Sequence, residues 1–196
     1  MWKYRKPIII ALAGFSGSGK DTFGAYLVQS LQFKRYAFAD LLKDICAVRY
    51  NVPREWFDDR AKKDVVISDP MLVYAVGKTP REICIEYTYG QNTQYLLDGV
   101  VNKISADIVE NGLTRFVITD CRRKMEIDFF KQYNRAYFLP IYINRFDKSP
   151  VSNALETEIS AADCSVSFDN TTEGNNMKPP QSAFNNFERL LMACTI

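Results

Sequence analysis

The chain has 196 residues, 47% of them hydrophobic and 24% charged, which suits one globular domain with a sizeable core and excludes a disordered chain. A formal net charge of +2 without any long block of like charge gives no support to a nucleic-acid or membrane surface. The absence of histidine removes imidazole general bases, and with them most Ser-His-Asp and Cys-His schemes, and leaves no zinc-ligand constellation.

In chain order, Pro7 to Ala13 is a near-continuous apolar run, the pattern of a strand buried on both faces of a parallel sheet. It leads into Gly14-Phe15-Ser16-Gly17-Ser18-Gly19-Lys20-Asp21-Thr22, a glycine-rich turn that opens an amphipathic stretch, so the order is strand, loop, helix. Glycines let the backbone approach a phosphate chain closely, a helix N-terminus offers N–H groups, and Lys20 supplies a cation. The spacing fits the P-loop pattern, with Asp21 where Ser or Thr usually follows the lysine and Thr22 carrying the hydroxyl one position later. A ligand-free Gly/Ser-rich turn is the alternative, and the lysine in register with the glycines favours phosphate.

Phe23, Tyr26, Leu27 and Leu31 predict a helix over 22–33, and 35–39 reads as a short strand. Asp40 is placed to cap the next helix, whose apolar face is Leu41, Leu42, Ile45 and Val48. Asn51-Val52-Pro53 ends it, and Pro53 begins another helix ahead of the solvated stretch 58–64. Thr79-Pro80-Arg81-Glu82 has the form of a capped helix start. Apolar residues recurring every three or four positions predict a long helix over 93–110, closed by Asn111-Gly112.

Arg115 to Thr119 reads as a second buried strand with Asp120 at its carboxyl end, where open α/β sheets place ligands and where a magnesium-holding acid belongs. A helix over 126–133, a strand over 139–143, an exposed loop over 144–152, a short helix over 155–162 and a last strand over 165–168 follow. Residues 169–182 read as a flexible connection before a terminal helix. The five cysteines, Cys46, Cys84, Cys121, Cys164 and Cys194, contain no Cys-x-x-Cys pair and read as reduced thiols. The first six residues are too short and polar for a signal peptide and no apolar run reaches a membrane span, so a soluble cytoplasmic protein is expected, in the host cytoplasm if viral.

Phosphoryl transfer depends on charge neutralisation and placement more than on a strong base. Arg81, Arg122, Arg123 and Arg145 each follow a break or a strand end, as a phosphate ligand should, although a solvated arginine is the commoner reading for any one of them. Asp40 is open between a cap and a site acid. Trp56, Phe57, Tyr87 and Tyr89 are open between core positions and stacking on a base.

These stretches together resemble the deoxynucleoside monophosphate kinases of large bacteriophages and their bacterial relatives. The likeness rests on the loop ending Gly19-Lys20-Asp21-Thr22, on Phe38-Ala39-Asp40-Leu41-Leu42-Lys43 followed by Glu55-Trp56-Phe57, and on Thr79-Pro80-Arg81-Glu82 with Tyr89-Gly90-Gln91. It extends to Asp120-Cys121-Arg122 with Glu126, and to Glu156-Thr157-Glu158; Met125 departs from the family pattern. The resemblance covers residues 7 to about 170 and implies transfer of the γ-phosphoryl group of ATP to a deoxynucleoside 5′-monophosphate. It implies that Gly14, Ser16, Gly17, Ser18, Gly19, Lys20, Asp21 and Thr22 bind ATP, and that Thr22 and Asp120 hold Mg2+. It assigns catalysis to Lys20, Arg81, Arg122 and Arg145, and the acceptor to Asp40, Lys43, Trp56, Arg81, Gln91 and Arg122.

The expected architecture is a single α/β domain with the three-layer P-loop NTPase fold and a parallel central sheet. It carries an acceptor-binding helical insertion at about 40–95, a lid at about 144–160, and the flexible segment and terminal helix at about 169–196. The expected partners are ATP and a nucleoside monophosphate, with a homodimer left open and neither nucleic acid nor membrane. Two rivals stay open: another small-molecule kinase sharing the Lys-Asp-Thr ending, such as a phosphomevalonate kinase, and a nucleotide-binding switch module that transfers nothing.

Overall fold

The computed structural model describes residues 6–89, 93–145 and 158–170. Its packing divides the chain into two units, residues 1–36 with 106–196, and residues 37–105.

The first unit is built on five parallel strands, β1 (Ile8–Ala13), β2 (Lys34–Tyr36), β3 (Arg115–Ile118), β4 (Tyr137–Asn144) and β5 (Val166–Asp169), in the order β2-β3-β1-β4-β5. The central strand pairs Ile8 with Arg115 on one side and with Tyr137 on the other, and β4 pairs Asn144 with Asp169 at its far end. All six β1 residues are buried, because side chains of a central parallel strand alternate between two covered faces. Ile8, Ile10 and Leu12 pack with Phe23 and Leu27 of α1 (Lys20–Leu31), while Ala11 and Ala13 pack with Ile127 of α5 (Lys124–Gln132). Helices therefore cover both faces, giving three layers. Phe23 meets Phe168 of β5 at a centroid distance of 4.9 Å, and Phe130 stacks on Phe138 of β4 at 5.6 Å.

Parallel strands point their carboxyl ends one way, and this sets the position of the site. The segments leaving β1, β3, β4 and β5 begin at Gly14, Thr119, Arg145 and Asn170, all at one edge of the sheet.

The second unit holds α2 (Phe38–Tyr50), a 3-10 turn over Arg54–Phe57, α3 (Pro80–Tyr89) and the first thirteen residues of α4 (Thr93–Asn111). Its core gathers Cys46, Val52, Phe57, Ile67, Leu72, Ala75, Ile83 and Tyr87. The capped start of α3 is present as read from sequence: Thr79 N donates to Glu82 Oε2 at 2.8 Å and Glu82 N to Thr79 Oγ1 at 3.1 Å.

Four local expectations are corrected. Asp40 is not the cap of α2: extended Ala37 holds that position and Asp40 lies in the first turn, where its charge still complements the N–H groups. The turn after Pro53 closes as a 3-10 segment rather than an α-helix. The second strand is Lys34–Tyr36, earlier than 35–39, because α2 already starts at Phe38. Of the short helix expected over 155–162, the described part shows only a 3-10 turn at Ala161–Asp163, held by Ser160 N and Oγ donating to Asp163 Oδ2 at 2.8 and 2.7 Å.

Candidate functional site

The loop after β1 owes its path to glycine. Gly14 and Gly19 adopt φ values of 134° and 101°, which side-chain-bearing residues rarely reach. A Cβ on Gly14 would lie 2.5 Å from Ile143 O, and one on Gly19 would collide with Asn170 Nδ2. Gly19 is also the N-cap of α1 and contributes no side-chain acceptor, so the first-turn N–H groups are left for an anion. Lys20 folds back over the loop, its Nζ donating to Gly14 O at 2.6 Å and Phe15 O at 2.8 Å.

Facing this loop is a cleft of about 360 Å3. Its floor includes Gly17, Gly19, Lys20 and Thr22; its walls include Asp120 and Arg122 from the end of β3 and Arg145 from the end of β4. Ser16, Asp21 and Thr119 complete the lining. Arg145 Nη1 also donates to Gly17 O at 3.4 Å, tying the β4 end to the loop.

The Arg122 segment is fixed from below by Glu126. Its Oε2 accepts from the backbone N–H groups of Arg122 at 2.7 Å and Arg123 at 3.0 Å. Burial pushes the Glu126 carboxyl up to about 7, an effect that the Asp120 charge reinforces and the two amide hydrogen bonds oppose. Burial likewise raises the Cys121 thiol well above its ordinary range, so this cysteine is inert beside the site. Cys46, Cys84, Cys121 and Cys164 are free thiols, and Cys194 lies outside the described residues.

No protein-family model matches the chain. The chain is similar to an Acanthamoeba polyphaga mimivirus protein bearing the provisional name deoxynucleotide monophosphate kinase, at 27% identity over 138 residues, 64% of this chain and 69% of the relative. The crystal structure of TT1252 from Thermus thermophilus matches with a TM-score of 0.50 at 14% identity, covering 97% of this chain and 98% of its own. A protein from Chloroflexus aurantiacus J-10-fl, provisionally described as a kinase, covers 98% of this chain and 99% of its own at a TM-score of 0.48 and 14% identity. The chain has a P-loop α/β fold.

The structure thus brings Ser16, Gly17, Gly19, Lys20, Asp21, Thr22, Asp120, Arg122 and Arg145 to one cleft, with Gly14 and Ser18 in the turn behind it. Among the described residues Ser18 Oγ is buried without a hydrogen-bond partner. The uncapped helix start and the glycine cradle fit a phosphate chain. Among the described residues no group of three or more Asp, Glu or Cys could hold a metal alone. Thr22 and Asp120 both line the cleft and could supply the one or two protein oxygens that magnesium takes beside substrate phosphates.

The remaining candidates belong to the 37–105 unit. Arg81 is paired through Nε and Nη2 with Asp64 and is more than half exposed. Lys43 donates to Asp58 Oδ1 at 2.7 Å. Trp56 packs partly against that unit's core, with Lys62 Nζ over its ring at 5.3 Å, and Asp40 is half-buried in the first turn of α2. Gln91 and most of the expected lid lie outside the described residues, as do the tail beyond Asn170 and its expected helix. No helix among the described residues is long and apolar enough to cross a membrane.

Sequence reasoning missed Asn170. It is buried, and its Nδ2 donates to Ser18 O at 2.8 Å across 152 positions of sequence. The available signal was its place one residue beyond the last parallel strand, on the edge where ligands bind.

Proposed function

We propose that this protein is a P-loop kinase that transfers the γ-phosphoryl group of ATP to a deoxynucleoside 5′-monophosphate. The observation that carries the reading is the single cleft joining Lys20, Thr22, Asp120, Arg122 and Arg145 at the carboxyl edge of the sheet. Three cations around a glycine cradle, set beside the Asp21 and Asp120 carboxylates, suit a reaction in which charge spreads over phosphoryl oxygens. The mimivirus relative's name supports a kinase and, more finely, this acceptor.

In this reading Lys20 leaves the carbonyls of Gly14 and Phe15 for the β- and γ-phosphates, and the loop amides hold the same oxygens. Arg122 and Arg145 neutralise the moving phosphoryl group. The bond from the γ-phosphorus to the β–γ bridging oxygen breaks as a phosphate oxygen of the acceptor bonds to that phosphorus, so ADP leaves with the electron pair and a nucleoside diphosphate forms. The attacking oxygen is already ionised at neutral pH, so no general base is required, consistent with a chain without histidine. Magnesium, when bound through Thr22 and, by way of water, Asp120, supplies further charge neutralisation. Recognition of the acceptor is assigned to Arg81, Asp40, Lys43, Trp56 and Gln91.

The test is ADP release from ATP and magnesium across a panel of deoxynucleoside monophosphates, ribonucleoside monophosphates and phosphomevalonate. Acceptor-dependent release with a deoxynucleotide is expected. Release only with a non-nucleotide phosphate would move the assignment to another small-molecule kinase, and ATP binding without acceptor-dependent release would make the protein a nucleotide-binding module.

A further inference from the structure

We infer that Asn170 is a positioning residue of the phosphate loop, acting through the Ser18 carbonyl to aim the Gly19 N–H at a bound phosphate. The inference rests on the phosphate-binding reading above and names a residue that reading does not use.

The Ser18–Gly19 peptide is trans, as are all the described peptide bonds, so its carbonyl and its N–H point in opposite directions. Asn170 Nδ2 holds the carbonyl at 2.8 Å, from a side chain that is itself buried. Fixing the oxygen outward fixes the hydrogen inward, and Gly19 lines the cleft. Among the described residues the Gly19 N–H makes no loop or turn bond to a backbone carbonyl, which suits an amide kept for a ligand.

The anchor is rigid. Asn170 N donates to Asn144 O at 2.8 Å, continuing the β4–β5 ladder one residue past Asn144 and Asp169. Asn144 Nδ2 in turn donates to Ser167 Oγ at 2.7 Å. The ends of two neighbouring strands thereby hold successive loop carbonyls, Arg145 at Gly17 and Asn170 at Ser18. The same contact explains why position 19 has no side chain, since a Cβ would occupy the place of Asn170 Nδ2.

An amide held in place before the ligand arrives lowers the cost of ordering the loop, so its loss should appear in nucleotide affinity. The experiment measures ATP binding by calorimetry, with KM for ATP and for the acceptor, in the full chain and in N170A and N170D. The alanine removes the donor; the aspartate keeps the shape and sets an acceptor against the Ser18 carbonyl. Both should weaken ATP binding at least about tenfold, aspartate more than alanine, with the KM for ATP rising and that for the acceptor unchanged. A purely space-filling Asn170 predicts that aspartate is tolerated, and equal ATP affinity in all three proteins overturns the inference. Independently of any variant, the Gly19 amide resonance of the wild-type chain should shift when inorganic tripolyphosphate is added; a resonance that stays put while neighbouring loop amides move also overturns it. If wild-type protein binds neither ATP nor tripolyphosphate, the phosphate-site reading itself fails.

Discussion

The ammonium of Lys20 lies 2.6 Å from the carbonyl oxygen of Gly14, so the cation of the loop rests on the loop's own backbone. A second bond to Phe15 O at 2.8 Å satisfies it further, and a phosphate that displaces both must offer a stronger partner, as its ionised oxygens do. Lys20→Ala should lower phosphoryl transfer by at least about 100-fold, the effect of losing one preorganised charge at a transferring group. Its circular dichroism spectrum should match that of wild type. Steady-state ADP release measures the first, and full activity in this variant would remove the loop from the reaction.

Gly19 is constrained twice, by a φ of 101° and by the nearness of Asn170. Gly19→Ala should therefore destabilise the fold by about 1–3 kcal/mol through backbone strain alone, with the displacement of Asn170 adding to it. Gly17→Ala has open space around its Cβ and meets only the strain of its φ of 79°. Urea unfolding of the two variants should rank Gly19→Ala as the less stable. Equal midpoints would mean that the Asn170 contact gives way at no cost.

The parts legible in the sequence were those whose pattern is local. Buried β1, β3 and β4 read as apolar runs because a strand covered on both faces needs no polar side, and α4 read from its repeat of three to four residues. Edge strand β2 was misplaced because its residues Lys34 to Tyr36 are exposed or half-buried and carry no alternation. The start of α2 was misplaced because Ala37 caps it without a side-chain bond, so no residue type marks it. The turn between β1 and α1 read clearly from its glycines and lysine. Asn170 did not, since an asparagine opening a polar stretch gains its role only when β5 lies two strands from the loop it holds.

Arg81 offers a separate test of acceptor recognition. Its pairing with Asp64 holds that carboxyl below its ordinary range, but both side chains are more than half exposed and solvent screens the pair. Arg81→Ala should leave the unfolding midpoint unchanged. If the guanidinium grips the acceptor phosphate, the same variant should raise the acceptor KM about 10- to 100-fold, the loss of one charge-assisted hydrogen-bonded contact. Asp64→Asn, which releases the guanidinium, should leave that KM the same or lower. An unaltered acceptor KM in Arg81→Ala takes this residue out of the acceptor site.

Glu126 predicts a pH dependence with a definite sign. Burial raises its carboxyl from an ordinary 4.5 to about 7, so between those values the folded protein holds a proton that the unfolded chain has lost. The contribution to stability is fully present below about 4.5 and is lost as pH rises through about 7. Each pH unit in that window is worth at most about 1.4 kcal/mol. No histidine titrates in the same range, and the ionisable groups facing Glu126 are Asp120 and Cys121. Glu126→Gln keeps an acceptor for the Arg122 and Arg123 amides and cannot ionise. Relative to this variant, wild type should lose up to about 3 kcal/mol between pH 5 and pH 8 in denaturant unfolding. A difference that stays constant across those pH values would mean that Glu126 is ionised throughout, with its two amide bonds outweighing burial.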